Sequence, residues 1–332
     1  MTDVARAAGV SYQTVSRVIN ESDRVHPDTR ARVQAAIDEL GYHPNSAARA
    51  LVTGRDSTIA VVASNTSLYG YARTLEGIED AAWSAGYTVH ITVLQSPDHS
   101  DRVDAVERLL SQPHAGLIAF TQDDLARAAV ERVPPRTPTV TAFGTGVGDR
   151  GHVMIDEQAG AEAATRYLLD LGHRTVHHVA VPPLLPSGRL LGWRTALERA
   201  GAPVPEPLEV NWTPRSGYEA GAQLARRSDV TAVLAVNDDV ATGIVRAAMD
   251  IGRDVPGDLS VVGFDDTPLA AYVRPSLTTV TQDFLELGRR AFALLHAQLE
   301  QGTPPPTCVR LPAELVVRES SGPPRGPDTA ER

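Results

Sequence analysis

The chain has 332 residues, room for two or three compact units with cores of their own. A single cysteine, Cys308, excludes an internal disulfide framework and a cysteine-built zinc centre. The formal charge of −10 argues against indiscriminate capture of nucleic acid. Its distribution is uneven: residues 1–55 carry seven Arg and six acids, a net of +1, which leaves −11 for the rest. No signal peptide or apolar spanning run is present, so a cytoplasmic protein with no membrane partner is expected.

The first elements form one pattern. A short apolar-periodic run over residues 3–8 is followed by a turn at Gly9-Val10, then by Ser11-Tyr12-Gln13-Thr14-Val15-Ser16-Arg17-Val18-Ile19-Asn20. Ser11 suits an N-cap, because its hydroxyl can accept from a free backbone N–H one turn on. Val15, Val18 and Ile19 lie three and four apart and share a face with Val4 and Val10 to pack on. Tyr12, Gln13, Ser16 and Arg17 fall on the opposite side, which has no carboxylate. Two short helices around a glycine turn read as a helix-turn-helix. The second helix would enter a major groove, where Gln pairs with adenine and Arg with guanine. An ordinary helical hairpin with a solvated face is the other reading of these residues.

A third helix is expected over 27–40, with Pro27 and Asp28 in its first turn and Gly41 at its stop. Residues 44–54 then carry good helix material after Asn45, but the run is too short to be stable in isolation. It leaves Leu51 without a core. A helix formed only on DNA, with paired leucines wedged into the minor groove of a dimer's operator, accounts for this. A flexible linker is the alternative.

At this point the sequence resembles the lactose-repressor family, through residues 10–18 and through Pro44-Asn45 with Ala48 and Leu51. The resemblance implies that Tyr12, Gln13 and Arg17 read base edges. It implies that Ser11, Thr14, Ser16, Asn20, Thr29, Tyr42 and Asn45 touch DNA phosphates or flanking groups, and that Ala48 and Leu51 serve the minor groove. The family usually has a few residues, often Thr-hydrophobic-Tyr-Asp, ahead of the motif that here begins Met1-Thr2-Asp3-Val4. Either the start lies upstream or phosphate contacts from that arm are missing.

Beyond residue 57, β-branched runs alternate with amphipathic stretches. Strands are expected at 58–62, 88–94, 116–120, 139–143, 153–155, 176–181, 232–236 and 259–262. Helices are expected at 73–85, 103–110, 125–133, 158–171, 192–200, 217–227 and 240–251. This alternation gives parallel sheets covered on both faces, and two such lobes place a ligand at the strand ends between them. The strand-end residues are Asn237-Asp238, Asp265-Asp266 and Gln282, with Arg189 opening one helix and Trp212 preceding another. Carboxylate, amide, guanidinium and a flat indole suit a sugar's hydroxyls and apolar ring face. Each residue alone has a plainer reading as a helix cap or core side chain.

The resemblance extends to about residue 319, through 189–193, Asn237-Asp238, 261–266 and 277–280, and it includes the fold of periplasmic sugar-binding proteins. It implies that Arg189, Trp212, Asn237, Asp265 and Gln282 contact the effector, with Asn65 and Tyr69 from the first lobe. Phe143 stands where the family usually has Asp, so its ring either stacks on the ligand or shrinks the pocket. A β-galactoside or β-glucoside is the effector implied by family analogy.

Other signals carry less. Gly146-Val147-Gly148-Asp149-Arg150-Gly151 fits a dinucleotide fingerprint, but a strand-like run follows it, not a helix. His173, His177 and His178 have no Cys or acid cluster beside them and read as structural. No nucleophile elbow is present, so no catalytic residue, metal or cofactor is expected.

The expected fold class is α/β: a small all-α helix-turn-helix head and a two-lobed periplasmic-binding-protein-like core with parallel sheets. The expected divisions are a head at 1–43, a hinge at 44–56, a core at 57–320 and a disordered tail at 321–332. Lobe 1 covers about 57–156 and 284–312; lobe 2 covers about 157–281 and 313–320. The expected function is a homodimeric repressor of sugar-utilisation genes, bound to a palindromic double-stranded operator and released by a small sugar. A sugar acting as co-repressor and, further off, a solute-binding protein are the alternatives.

Overall fold

The computed structural model describes residues 1–19, 24–42, 56–94, 107–122, 124–182, 187–302 and 307–325. The chain divides into two compact units, Met1–Ser57 with Pro113–Ala115, and Thr58–Gln112 with Gly116–Arg332. Among the described residues no helix is long and apolar enough to cross a membrane.

The small unit holds α1 (Thr2–Ala8), α2 (Tyr12–Ile19) and α3 (Pro27–Glu39). Gly9 ends α1 at φ 64°, a left-handed position where a Cβ is costly. Ser11 Oγ accepts from the Thr14 N–H at 3.1 Å, the expected cap. The cap of α3 is His26, whose Nδ1 accepts from the Asp28 N–H at 3.4 Å. Val4, Val15, Val18 and Val33 form the buried centre, with Val10, Ile19, Ile37 and Tyr42 packed against it. Asn20 and residues 43–55, which include Asn45, Ala48 and Leu51, lie outside the described residues.

The large unit contains two parallel sheets. Lobe 1 is built from β1 (Thr58–Ala63), α4 (Tyr69–Ser84), β2 (Thr88–Val93), β3 (Gly116–Phe120), α5 (Asp124–Arg132), β4 (Thr139–Ala142) and β5 (Gly151–Ile155). Lobe 2 is built from α6 (Glu157–Asp170), β6 (His177–Ala180), α7 (Gly188–Arg199), β7 (Leu208–Glu209), α8 (Pro214–Leu224), β8 (Ala232–Ala235), α9 (Asp238–Asp250), β9 (Ser260–Val262) and β10 (Thr279–Gln282). The chain then returns to lobe 1 with α10 (Phe284–Gln301) and β11 (Cys308–Leu311), and ends in lobe 2 with β12 (Ala313–Val316).

The first sheet runs β11-β5-β4-β3-β1-β2 and the second β7-β6-β8-β9, with β10 and β12 as an antiparallel pair. β1, β3 and β8 are buried throughout or nearly so, as continuous apolar runs covered on both faces must be. β2, at a sheet edge, is largely exposed.

Three single residues, Asp156, Asp283 and Pro312, join the lobes. Two of them are helix caps: Asp156 Oδ1 accepts from the Ala159 N–H at 3.1 Å, and Asp283 Oδ1 from the Glu286 N–H at 2.9 Å. The Asp156 N–H donates to the Leu311 carbonyl at 2.8 Å, tying the first crossing to the third. Short connections of this kind are where hinge motion concentrates.

Several helices start about a turn before the apolar periodicity does. α7 begins at Gly188 because Ser187 Oγ accepts from the Leu190 N–H at 3.2 Å, and α8 at Pro214 because Thr213 Oγ1 accepts from the Ser216 N–H at 3.3 Å. The expected disordered tail from 321 is corrected over its first part. The Gly322 N–H donates to Ser260 Oγ at 3.0 Å, Ser321 Oγ lies 3.1 Å from the Tyr167 hydroxyl, and Arg325 pairs with Asp254 and Asp258 at 2.7 and 2.8 Å. Polar side chains of lobe 2 hold this segment. Its Pro-rich composition gave no sign of them.

Helices α4 and α10 bring Tyr69 and Phe284 to one end of lobe 1, and they cross at glycines. A Cβ on Gly77 would lie 2.1 Å from the Leu285 carbonyl oxygen, and one on Gly288 2.1 Å from that of Thr74. Backbone cannot yield as a side-chain tip can, so Gly288→Ala is expected to cost about 1–3 kcal/mol. A urea titration checks this; an unchanged midpoint would mean that the helices do not meet this closely.

Candidate functional site

The second helix of the head presents two chemically distinct faces. Val15 and Val18 are buried, whereas Tyr12 is 56% exposed and Gln13 and Arg17 are exposed beside it. Ser11 is exposed, and Thr14, Ser16 and Thr29 are half-buried. Ser11, Thr14, Arg17 and Thr29 line one groove between α2 and α3. Arg24, His26 and Arg32 line it too, and sequence reasoning did not single them out. The spacing of Thr29 and Arg32 puts them on one face of α3, which was the available signal. Tyr42 is half-buried against the head's core, a packing role that its expected DNA contact did not include.

The large unit gathers the expected effector residues at the strand ends of lobe 2. Arg189, in the first turn of α7, is buried. Its Nε and Nη2 donate to Glu157 Oε1 at 3.1 and 2.7 Å, Nη2 lies 3.4 Å from Asp265 Oδ1, and Nη1 donates to the Val236 carbonyl. The guanidinium also lies 4.4 Å from the ring centre of Phe264 and 5.8 Å from that of Trp212. Taking a guanidinium out of water costs several kcal/mol unless its donors are met. Burial works against the Arg189 charge, but Glu157 and Asp265 outweigh it and raise its pKa. Glu157 was missed in the sequence: it opens α6, 32 positions before Arg189, and no local pattern links them.

Asp265 is buried, and Gln282 Nε2 donates to its Oδ1 at 2.7 Å. Gln282 Oε1 is also buried and has no partner among the described residues. Asp238 accepts from the Thr279 hydroxyl at 2.5 Å and the Thr267 N–H at 2.7 Å. Asn237 is the cap of α9, its Oδ1 accepting from the Val240 N–H at 2.9 Å, so its amide nitrogen is the part left to meet a ligand. Trp212 is half-buried against the lobe-2 core. Asp266 is held by Arg318 Nη2 at 2.7 Å, another pair with no sequence signal.

Lobe 1 faces this cluster with rings. Tyr69 packs edge-on against Phe284 at 6.0 Å. Phe143 lies 5.0 Å from Tyr71, 5.0 Å from Phe120 and 6.1 Å from Phe284. Phe143 is therefore part of an aromatic wall where the resemblance implied a carboxylate. Burial raises the Tyr69 phenol's pKa, Arg73 lowers it, and Asp265, Asp266 and Asp238 across the cleft raise it further. Asn65 Oδ1 is taken by the N–H and hydroxyl of Ser67, at 2.6 and 2.8 Å. The only non-glycine residues with positive φ among those described are Phe143, Asp265 and Asp266, at 64°, 109° and 49°. Such conformations cost roughly 1–3 kcal/mol each and cluster where ligands are clamped.

The histidines lie elsewhere. His178 Nδ1 lies 2.9 Å from the Leu234 carbonyl, which can only accept, so the ring is the Nδ1–H tautomer. Burial pushes its pKa down to about 4. Among the described residues no group of three His, Cys, Asp or Glu could hold a metal.

Burial pushes Asp265 up to about 8, with Asp238 and Glu157 adding to it and Arg189 and Gln282 opposing. The folded chain then holds a proton at Asp265 that the unfolded chain releases near 3.8. This residue's contribution to stability is full at low pH and is lost as pH rises through about 8. The buried histidines have lowered pKa values, so their effect has the opposite sign and is complete above their ordinary value of 6.5. Between pH 6.5 and about 9 the Asp265 contribution therefore falls with pH. In urea titrations Asp265→Asn should flatten that slope; identical slopes would contradict the buried acid.

Comparison with known proteins follows the same division of the chain. The family described as bacterial regulatory proteins, lacI family, matches residues 1–45, and the periplasmic binding protein-like domain matches residues 165–321. The chain is 35% identical over 329 residues to the HTH-type transcriptional repressor PurR of Yersinia pestis (strain Pestoides F), covering 96% of this chain and 95% of that protein. The Lac repressor dimer bound to operator and the anti-inducer ONPF overlays with a TM-score of 0.87 at 32% identity, covering 96% and 98% of the two chains. A complex of the transcriptional regulator CelR with cellobiose overlays with a TM-score of 0.72 at 32% identity and the same coverage. With its head, its two-sheet core and these relatives along nearly its full length, the chain belongs to the LacI family of bacterial DNA-binding transcriptional regulators.

Proposed function

We propose that the protein is a homodimeric repressor of sugar-utilisation genes, bound to a palindromic operator and released when a small sugar occupies the cleft between its lobes. The exposed Tyr12, Gln13 and Arg17 on a helix whose other face is buried carry the DNA-reading part of this proposal. One such helix meets too few base pairs to specify a site in a genome. Two related by a two-fold axis read a palindrome. Ser11, Thr14 and Thr29, with Arg24 and Arg32 in the same groove, fit phosphate contacts.

The sugar part rests on the strand-end cluster of Arg189, Asp265, Gln282, Asn237 and Trp212. Buried carboxylate and amide groups beside an indole suit a ring with hydroxyls on its rim and an apolar face. The relatives solved with cellobiose and with ONPF support this direction without fixing the ligand here. In our mechanism a ligand touching both lobes changes the angle allowed by Asp156, Asp283 and Pro312. That angle sets the spacing of the two first lobes in the dimer, and with it whether both copies of residues 44–56 can place Asn45, Ala48 and Leu51 at the operator. A ligand shifts this balance only by its different affinities for the two arrangements.

Operator variants competed against the full chain test the reading helix. Arg17→Ala should lose about 1–3 kcal/mol of discrimination at one position in each half-site and leave other positions unchanged. Intact preference at every position would remove α2 from the groove.

A further inference from the structure

We infer that Asp265 and Gln282 form a closed acid–amide pair that holds one proton in the ligand-free chain, and that a sugar entering the cleft expels it. The second half of this inference rests on the effector-cleft reading above. The first half concerns the free chain alone.

Both side chains are more than nine-tenths buried, at 8% and 6% exposure. Gln282 Nε2 donates to Asp265 Oδ1 at 2.7 Å, which closes one edge of the pair. Gln282 Oε1 is buried without a partner among the described residues. An unmet buried acceptor is costly, and an ionised carboxylate beside it can only accept. A carboxylic acid can donate. Carboxyl and carboxamide are flat groups of equal span, so a proton on Asp265 Oδ2 supplies the missing donor to Gln282 Oε1 and closes the second edge. One proton then satisfies both groups.

The charges around the pair favour the same state. Arg189, on α7, is the cation beside it, and that guanidinium is already committed. Glu157, on α6, takes its Nε and Nη2 at 3.1 and 2.7 Å, whereas Asp265 Oδ1 lies 3.4 Å from Nη2. Asp238, at the start of α9, adds another negative charge. Asp266, next in the chain, has its own cation in Arg318. From lobe 1 the Tyr69 phenol feels the same carboxylates, which hold its proton on. Burial pushes Asp265 up to about 8 and Asp238 up to about 6.

In the closed pair Asp265 Oδ2 and Gln282 Oε1 are engaged with each other. A sugar hydroxyl that donates to either one breaks the O–H···O bond between them. The proton then passes to solvent. The carboxylate left behind keeps Gln282 Nε2, Arg189 Nη2 and the hydroxyl as donors. Sugar and proton therefore compete, and binding tightens as pH rises toward about 8.

Infrared spectroscopy of the full-length chain tests the pair. A protonated-carboxyl carbonyl band should disappear between about pH 6.5 and about pH 9.5, and it should be missing in Asp265→Asn. That variant puts an N–H where the acid has its O–H, so both edges stay closed and the chain folds. Gln282→Leu should move the band to higher wavenumber, because the acid loses its acceptor; Gln282→Met makes the same test if the first variant fails to fold. No such band, or a band unmoved in these variants, would overturn the pair. Calorimetry tests the expulsion, with glucose, galactose, ribose, cellobiose and lactose titrated near neutral pH in phosphate and in Tris, whose ionisation heats differ. A sugar that binds should release about one proton per chain, and its affinity should rise up to about tenfold per pH unit below about 8. Proton uptake, no release, or an affinity independent of pH would overturn the expulsion and leave the cleft reading intact. No binding by any of these sugars would overturn the cleft reading and the expulsion together, while the carbonyl band still decides the pair.

Discussion

A single buried guanidinium ties together the strand ends of lobe 2. Arg189 reaches three segments that are far apart in sequence: the start of α6 through Glu157, the end of β8 through the Val236 carbonyl, and the loop after β9 through Asp265. Each contact lies where a strand or helix ends, so Arg189 fixes the relative positions of the groups a ligand would meet. Glu157 follows the crossing residue Asp156 directly, so the pair also couples the cleft floor to the connection between lobes. Removing one partner would leave a charge buried and unpaired, which is far costlier than losing a surface ion pair.

Strain is placed where this network can hold it. Asp265 and Asp266 adopt positive φ, and Gln282 grips the first while Arg318 grips the second. Phe143 does the same in lobe 1, where its carbonyl accepts from the Thr121 hydroxyl at 3.0 Å and its N–H donates to the Val153 carbonyl at 3.1 Å. Both walls of the cleft are thus pre-set by contacts that a ligand need not supply. Pre-organisation of this kind lets a small molecule spend its binding energy on choosing between lobe arrangements.

Much of this was legible in the sequence, for physical reasons that can be named. Buried parallel strands are continuous apolar runs, so 58–62 and 116–120 stand out, and the structure extends the first by one residue only. The face of α2 was readable because Val15 and Val18 leave Tyr12, Gln13 and Arg17 on the other side whatever the head packs against. Asp265 and Gln282 were readable as strand-end polar groups. Glu157 and Arg318 were not, because their partners lie 32 and 52 positions away and only the folded topology brings them together. The Phe143 ring stands out of place in the sequence, but its three ring neighbours, Tyr71, Phe120 and Phe284, come from three different elements. A single sequence offers no way to pair them.

Repressor function of the proposed kind requires coupling between the cleft and the reading helix, and thermodynamic linkage measures that coupling directly. With a cleft-binding sugar in hand, operator affinity is measured with and without saturating ligand, and ligand affinity with and without saturating operator. Both affinities should change by one common factor, roughly 5–150-fold, each partner weakening the other. A ligand that fills the cleft while operator affinity stays the same would contradict it.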